Sequence, residues 1–110
     1  MTRIVFTTDF KTAYKRLKKK YVSFDDDFRV LLRSLVNEPE QGTELFNGIR
    51  KVRLNVKSKG KGKSGGARVI LRMQRRGDVL AFLFVYDKSE MANVSDEYLR
   101  DILKRNAFLM

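Results

Sequence analysis

The sequence contains no cysteine, no histidine and no tryptophan, and only one proline. Without cysteine there is neither a disulfide framework nor a thiolate metal site. Nothing then asks for an oxidising compartment, and the cytoplasm is the expected location. Without histidine, the usual general acid and base of phosphoryl chemistry and the usual transition-metal ligand are both missing. Neither a metal nor another cofactor is expected. One proline and seven glycines leave no room for a long linker. Long apolar runs are missing too. The longest, residues 79–86, has the length of a strand, and the opening Met1-Thr2-Arg3-Ile4-Val5-Phe6 turns polar at Thr7, so neither a membrane span nor a signal peptide is expected.

Acidic residues are absent from the whole stretch between Glu44 and Asp78, and that stretch carries eleven cations: Arg50, Lys51, Arg53, Lys57, Lys59, Lys61, Lys63, Arg68, Arg72, Arg75 and Arg76. The rest of the chain balances, 13 cations against 13 acids, so the whole net charge of +11 lies in one segment. Such a concentration implies a polyanionic partner held by phosphate contacts and counterion release. A plain solvated charge run accounts for the loop lysines but not for arginines embedded in strand patterns. At 110 residues and 43% hydrophobic, the chain is expected to form one globular domain over residues 1–110.

Hydrophobic periodicity gives the elements. Residues 3–7 alternate with β-branched side chains and predict a short strand. Phe10, Ala13, Tyr14, Leu17 and Tyr21 recur at helical spacing, with Thr8 as the expected cap and Lys18, Lys19 and Lys20 at the negative end of the dipole. Ser23, with Asp26 three positions on, predicts a second helix with Phe24, Phe28, Leu31, Leu32 and Leu35 as its buried stripe. Pro39 and Gly42 close the helical region, and so short a joint predicts an antiparallel hairpin.

From residue 49 the period becomes two. Val52, Leu54 and Val56 fall on one face, and Lys51, Arg53 and Asn55 on the other. After a glycine and lysine loop, Val69, Leu71 and Met73 point inward and Arg68 and Arg72 outward. Gly77-Asp78 supplies a turn, and residues 79–86 are apolar on both faces, as in a central strand. Ser95 caps a last helix with Tyr98, Leu99, Ile102 and Leu103 as its stripe. The expected fold is α+β in the order βααβββα: a twisted, mainly antiparallel sheet, helices on one face, and a basic, concave surface on the other.

Gly60-Lys61-Gly62-Lys63-Ser64 ends like a phosphate-binding P-loop, but position 57 is lysine rather than glycine and residues 67–71 are strand-like rather than helical. A flexible basic loop able to follow a nucleic-acid backbone and a plain solvated hairpin loop remain equally good readings. Adjacent aspartates 25–27 aim in different directions on a helix, so dipole complementarity explains them better than a metal site does. With histidine absent, phosphoryl chemistry would have to run on lysine, arginine, tyrosine and carboxylates. Lysine serves as a base when its pKa is lowered, and crowding by Arg50, Arg53 and Arg68 would do that to Lys51. Arginine suits a developing phosphorane. Lys51, Arg53 and Arg68 on one polar face therefore make a candidate site, although phosphate binding without chemistry is the reading that periodicity alone favours. Tyr86 and Lys88, at the end of the central strand, belong to the same candidate surface.

Gly48-Ile49-Arg50-Lys51-Val52-Arg53, the run Lys59-Gly60-Lys61-Gly62-Lys63-Ser64-Gly65-Gly66-Ala67-Arg68-Val69-Ile70, and Tyr86-Asp87-Lys88-Ser89-Glu90 with Asn93 together resemble the HigB-like branch of the RelE/ParE toxin superfamily. The resemblance spans nearly the whole chain, including the helical region, Pro39 and Gly42. It implies a compact sheet flanked by helices, metal-independent and ribosome-dependent cleavage of mRNA by attack of the ribose 2′-hydroxyl on the adjacent phosphate, and neutralisation by a cognate antitoxin. It puts Lys51 and Arg53 where basic residues activate the hydroxyl and Arg68 where an arginine stabilises the transition state. Arg50, Lys57, Lys59, Lys61, Lys63, Arg72 and Tyr86 would contact RNA or the ribosome. The chain departs from the best-known pattern at Ser89, which stands for a leaving-group arginine, and at Ser95, which stands for a base-stacking tyrosine. Lys88, Glu90 and Tyr86 are the substitutes for the acid step. A ParE-like inhibitor of DNA gyrase that cuts nothing and a noncatalytic RNA-binding protein are the competing classes.

Overall fold

A computed structural model describes residues 2–59, 65–74 and 78–106. The elements run β1 (Arg3–Phe6), α1 (Thr8–Lys20), α2 (Phe24–Asn37), β2 (Thr43–Phe46), β3 (Ile49–Leu54), a 3-10 turn (Lys57–Lys59), β4 (Ala67–Gln74), β5 (Val79–Asp87) and α3 (Asp96–Arg105). The strands form one sheet in the order β1-β5-β4-β3-β2, antiparallel throughout except that β1 pairs parallel with β5. The α+β class and the mainly antiparallel sheet match the periodicity. Among the described residues no helix is long and apolar enough to cross a membrane.

Three local expectations need correction. Residues 43–46, to which periodicity assigns no element, form β2, which folds back on β3 through Asn47-Gly48. Both turn residues have positive φ, 45° and 78°, the backbone that a tight two-residue hairpin requires and that asparagine and glycine tolerate. The cap of α1 is Thr7 rather than Thr8: its hydroxyl accepts from the Phe10 amide at 3.0 Å and donates to the Leu83 carbonyl at 2.8 Å, fixing α1 to β5. Ser23 makes no capping bond. It lies in helical conformation and its hydroxyl donates to Asp27, which also accepts from the Lys57 amide at 2.9 Å. The expected cap Ser95 does accept from the Tyr98 amide, at 3.0 Å.

The larger correction concerns the layers, because helices cover both sheet faces. On one face, α1 and α2 pack over Val52, Leu54, Val69, Leu71, Leu80, Phe82 and Val85, with Phe6, Phe10, Phe28 and Phe82 as an aromatic centre. On the other, Leu99, Ile102 and Leu103 of α3 pack over Ile49, Ile70, Val79, Ala81 and Leu83. A bulge supports this two-sided burial: Ile70 opposes Phe84 and Leu71 opposes Phe82, so Leu83 is an extra residue that joins Phe84 on the α3 face. The second face is therefore largely apolar, with Arg72 in the row of Ile49 and Ala81 and with Lys51, Arg53 and Arg68 towards the other end.

Candidate nucleic-acid interface

The α3 face continues to the end of β3, β4 and β5 that carries Arg53, Arg68 and Tyr86. Its outermost row is Arg53 opposite Arg68 opposite Tyr86, and the next is Lys51 opposite Ile70 opposite Phe84. Arg68 thus has Arg53 directly across from it and Lys51 on the diagonal, within reach of long side chains. Like charges in such positions are mutually destabilising, by up to about 1 kcal/mol for a direct pair, so the row disfavours the isolated protein and favours a polyanion over it. Arg53 is exposed and Lys51 half-buried, with its ammonium donating to Asn93 Oδ1 at 3.3 Å. Arg68 is buried at 9% exposure, and its Nη1 donates to the carbonyls of Gly65 and Ala67, both at 3.1 Å.

Tyr86 is also buried, stacked at 6.2 Å on Phe84, and its hydroxyl has no hydrogen-bond partner among the described residues. Burial pushes its phenol up, with the Arg68 guanidinium opposing, so at neutral pH the hydroxyl carries its proton. Lys88 lies two residues further on, half-buried, its amide held by the Gly66 carbonyl at 3.2 Å.

Other members of the expected set are not brought into this cluster. Arg50 lies opposite Leu71 on the far face, where its guanidinium grips the carbonyls of Glu40, Gln41 and Gly42 and so does not crowd Lys51. Arg72 lies on the near face, in the row between Ile49 and Ala81. Lys57 is exposed in the 3-10 turn. Lys59 is turned inward, its ammonium 2.7 Å from Asp87 Oδ1 and 3.2 Å from the Gly66 carbonyl. Lys61 and Lys63 lie outside the described residues. The loop leads into strand β4, not into the helix that a P-loop needs. Among the described residues no three His, Cys, Asp or Glu side chains gather to hold a metal ion.

Periodicity gave no role to Asp87. Its carboxylate, 1% exposed on the α1 face, accepts from Lys59, from the Tyr21 hydroxyl, from Lys20 at 3.3 Å and from the amide and hydroxyl of Ser89 at 2.9 and 2.7 Å. Burial alone would raise it, but the bonds from Lys59, Tyr21 and Ser89 outweigh burial and hold it well below the usual carboxylate range. Glu90 joins the same cluster through Arg16 and Lys20, whose hydrogen bonds bring its carboxyl down to about 2. Ser89 and Glu90 are therefore engaged on the α1 side, which leaves Lys88 and Tyr86 beside the basic row. The signal for Asp87 was available: it shares parity with Val85, and a carboxylate on a helix-covered face needs cations.

Depressed carboxyls tie stability to pH. Their contribution is complete above the unfolded value near 4 and is lost as pH falls through the folded values, so urea stability should drop between about pH 4 and pH 2. An Asp87→Asn, Glu90→Gln variant should be less stable at pH 7 and show a flatter decline. Parallel pH dependences in the two proteins would contradict the assignment.

In comparison with known proteins, a family model described as the RelE toxin of the RelE / RelB toxin-antitoxin system matches residues 10–108.

Proposed function

The chain belongs to the RelE toxin family, and on that premise we propose that it is a metal-independent endoribonuclease that cuts messenger RNA on the ribosome. Membership makes it a toxin of a toxin–antitoxin system, with an antitoxin protein as its partner. The observation that carries the finer reading is the row Arg53–Arg68–Tyr86 with Lys51 diagonal to Arg68, three cations on one face of which Arg53 is exposed, Lys51 half-buried and Arg68 buried. The similarity of residues 59–70 and of the segment 86–90 with Asn93 supports assignment to the HigB-like branch.

In this reading the ribose 2′-oxygen forms a bond to the adjacent phosphorus, the bond from phosphorus to the 5′-oxygen breaks, and the products are a 2′,3′-cyclic phosphate and a 5′-hydroxyl. Lys51, placed by Asn93 and acting in its amine form, accepts the 2′-hydroxyl proton, and the Arg53 guanidinium stabilises the developing alkoxide. Arg68 takes the charge on the non-bridging oxygens. Lys88, or the protonated Tyr86 hydroxyl where RNA binding uncovers it, supplies a proton to the 5′-oxygen. Primer extension on a translated message tests the reading: cuts appear with the purified chain and ribosomes and not with naked RNA. No cuts, together with inhibition of gyrase, would replace it with the ParE-like reading.

Tyr86→Phe separates stability from function. Removing a buried hydroxyl that has no partner among the described residues should leave stability unchanged or raise it by about 1 kcal/mol. If Tyr86 is the acid, cleavage of the same message slows, and an unslowed variant assigns the proton to Lys88.

A further inference from the structure

We propose that Lys59 is a positioning residue for Arg68, anchored by Asp87 and acting through the carbonyls of residues 65–67. The inference rests on reading Arg68 as the group that stabilises the phosphate. Three consecutive carbonyls at the foot of the loop are gripped alternately from the two sheet faces. Arg68 Nη1 holds those of Gly65 and Ala67, and the Lys59 ammonium holds the one between them, on Gly66. The Lys59 ammonium is itself fixed at 2.7 Å to the buried carboxylate of Asp87, and its side chain is only 16% exposed. Lys88 joins the same knot, because its amide donates to the Gly66 carbonyl.

The two glycines make this grip sterically feasible. A Cβ on Gly65 would lie 2.6 Å from Lys59 Nζ, and one on Gly66, where φ is +52°, would lie 2.6 Å from the Leu54 carbonyl oxygen. The segment that admits the ammonium thus contains two adjacent glycines, whose conformational freedom makes donors to its carbonyls useful in fixing it. Without Lys59, Gly66 keeps only the Lys88 amide as donor, the Gly65 carbonyl is less firmly placed while Ala67 stays paired in β4, and the Arg68 guanidinium is held less tightly in one orientation. Electrostatic stabilisation depends on that preorganisation. An ammonium so engaged with Asp87 is poorly suited to meeting a phosphate itself.

The test compares ribosome-dependent cleavage by the wild type, Lys59→Met, Lys59→Arg, Arg68→Ala and the Lys59→Met, Arg68→Ala double variant. Lys59→Met keeps the apolar stem beside Tyr21, and Lys59→Gln replaces it if it does not fold. Expected is a loss in kcat on the order of tenfold with the apparent KM for programmed ribosomes unchanged, and recovery of most of it by Lys59→Arg. In the Arg68→Ala background the same change should cost less than about twofold, since two residues acting as one unit are not additive. A raised KM at unchanged kcat, or an equal loss in both backgrounds, overturns the proposal. The Arg68 Nε–H resonance of 15N-arginine-labelled protein gives a readout independent of activity. It should shift and exchange faster with solvent in Lys59→Met and return in Lys59→Arg, and an unmoved signal overturns the clamp. A wild type that cuts nothing would remove only the nuclease reading, and the resonance would still decide whether Lys59 holds Arg68.

Discussion

Arg68→Ala is expected to abolish growth inhibition on induction and to slow ribosome-dependent cleavage by on the order of a hundredfold or more, the usual cost of one preorganised electrostatic donor. The fold should survive. Arg68 is 9% exposed and its guanidinium bonds two carbonyls at the loop foot, where charge-assisted hydrogen bonds are worth about 1.5–3 kcal/mol each, so the folded variant should melt earlier than the wild type. Arg68→Lys separates charge from shape, because it keeps the cation but loses the planar fork that spans the carbonyls and a phosphate together. It should recover a small part of the rate. Circular dichroism melts establish that each variant is folded before its rate is interpreted. A folded Arg68→Ala protein that still arrests growth at full strength would show that the basic row does not perform the chemistry.

Much of the architecture was legible because burial imposes period. The alternation of Val52, Leu54, Val69 and Leu71 identified the face under α1 and α2, and the stripe Leu99, Ile102 and Leu103 identified α3 as amphipathic. That α3 covers part of the opposite face was also encoded. Ile49 and Ile70 break the polar parity of that face, and the run 79–86 is apolar on both sides, which requires cover on both. The hairpin of β2 had its signal in Asn47-Gly48, a dipeptide suited to positive φ. The bulge at Leu83 was not legible, since a doubly apolar run keeps no parity to mark where one residue is extra. For the site, strand alternation brought Lys51, Arg53 and Arg68 to one face. It could not report which cations of the segment spend their charge inside the fold. Arg50 and Lys59 do so because of partners distant in sequence or in the loop foot, carbonyls 40–42 and Asp87.

That difference sets a measurable salt dependence. Eleven cations in one segment would suggest a very steep response if all met phosphates, but charges already committed to protein partners release no counterions from RNA. With about five phosphate contacts on single-stranded RNA, affinity for programmed ribosomes or message should fall roughly a hundredfold between about 50 and 200 mM salt. Arg53, exposed at the end of the basic row, should count among the contacts: Arg53→Gln is expected to reduce the slope by about 0.7 in log units, one contact's worth. Lys59→Gln should leave the slope unchanged, because its ammonium is held by Asp87 in the free protein. Fluorescence anisotropy across a salt series measures both. A Lys59→Gln slope that falls as much as that of Arg53→Gln would return Lys59 to the RNA-binding surface. A response that is flat for the wild type would point to a protein target, for which counterion release from a phosphate backbone makes no contribution.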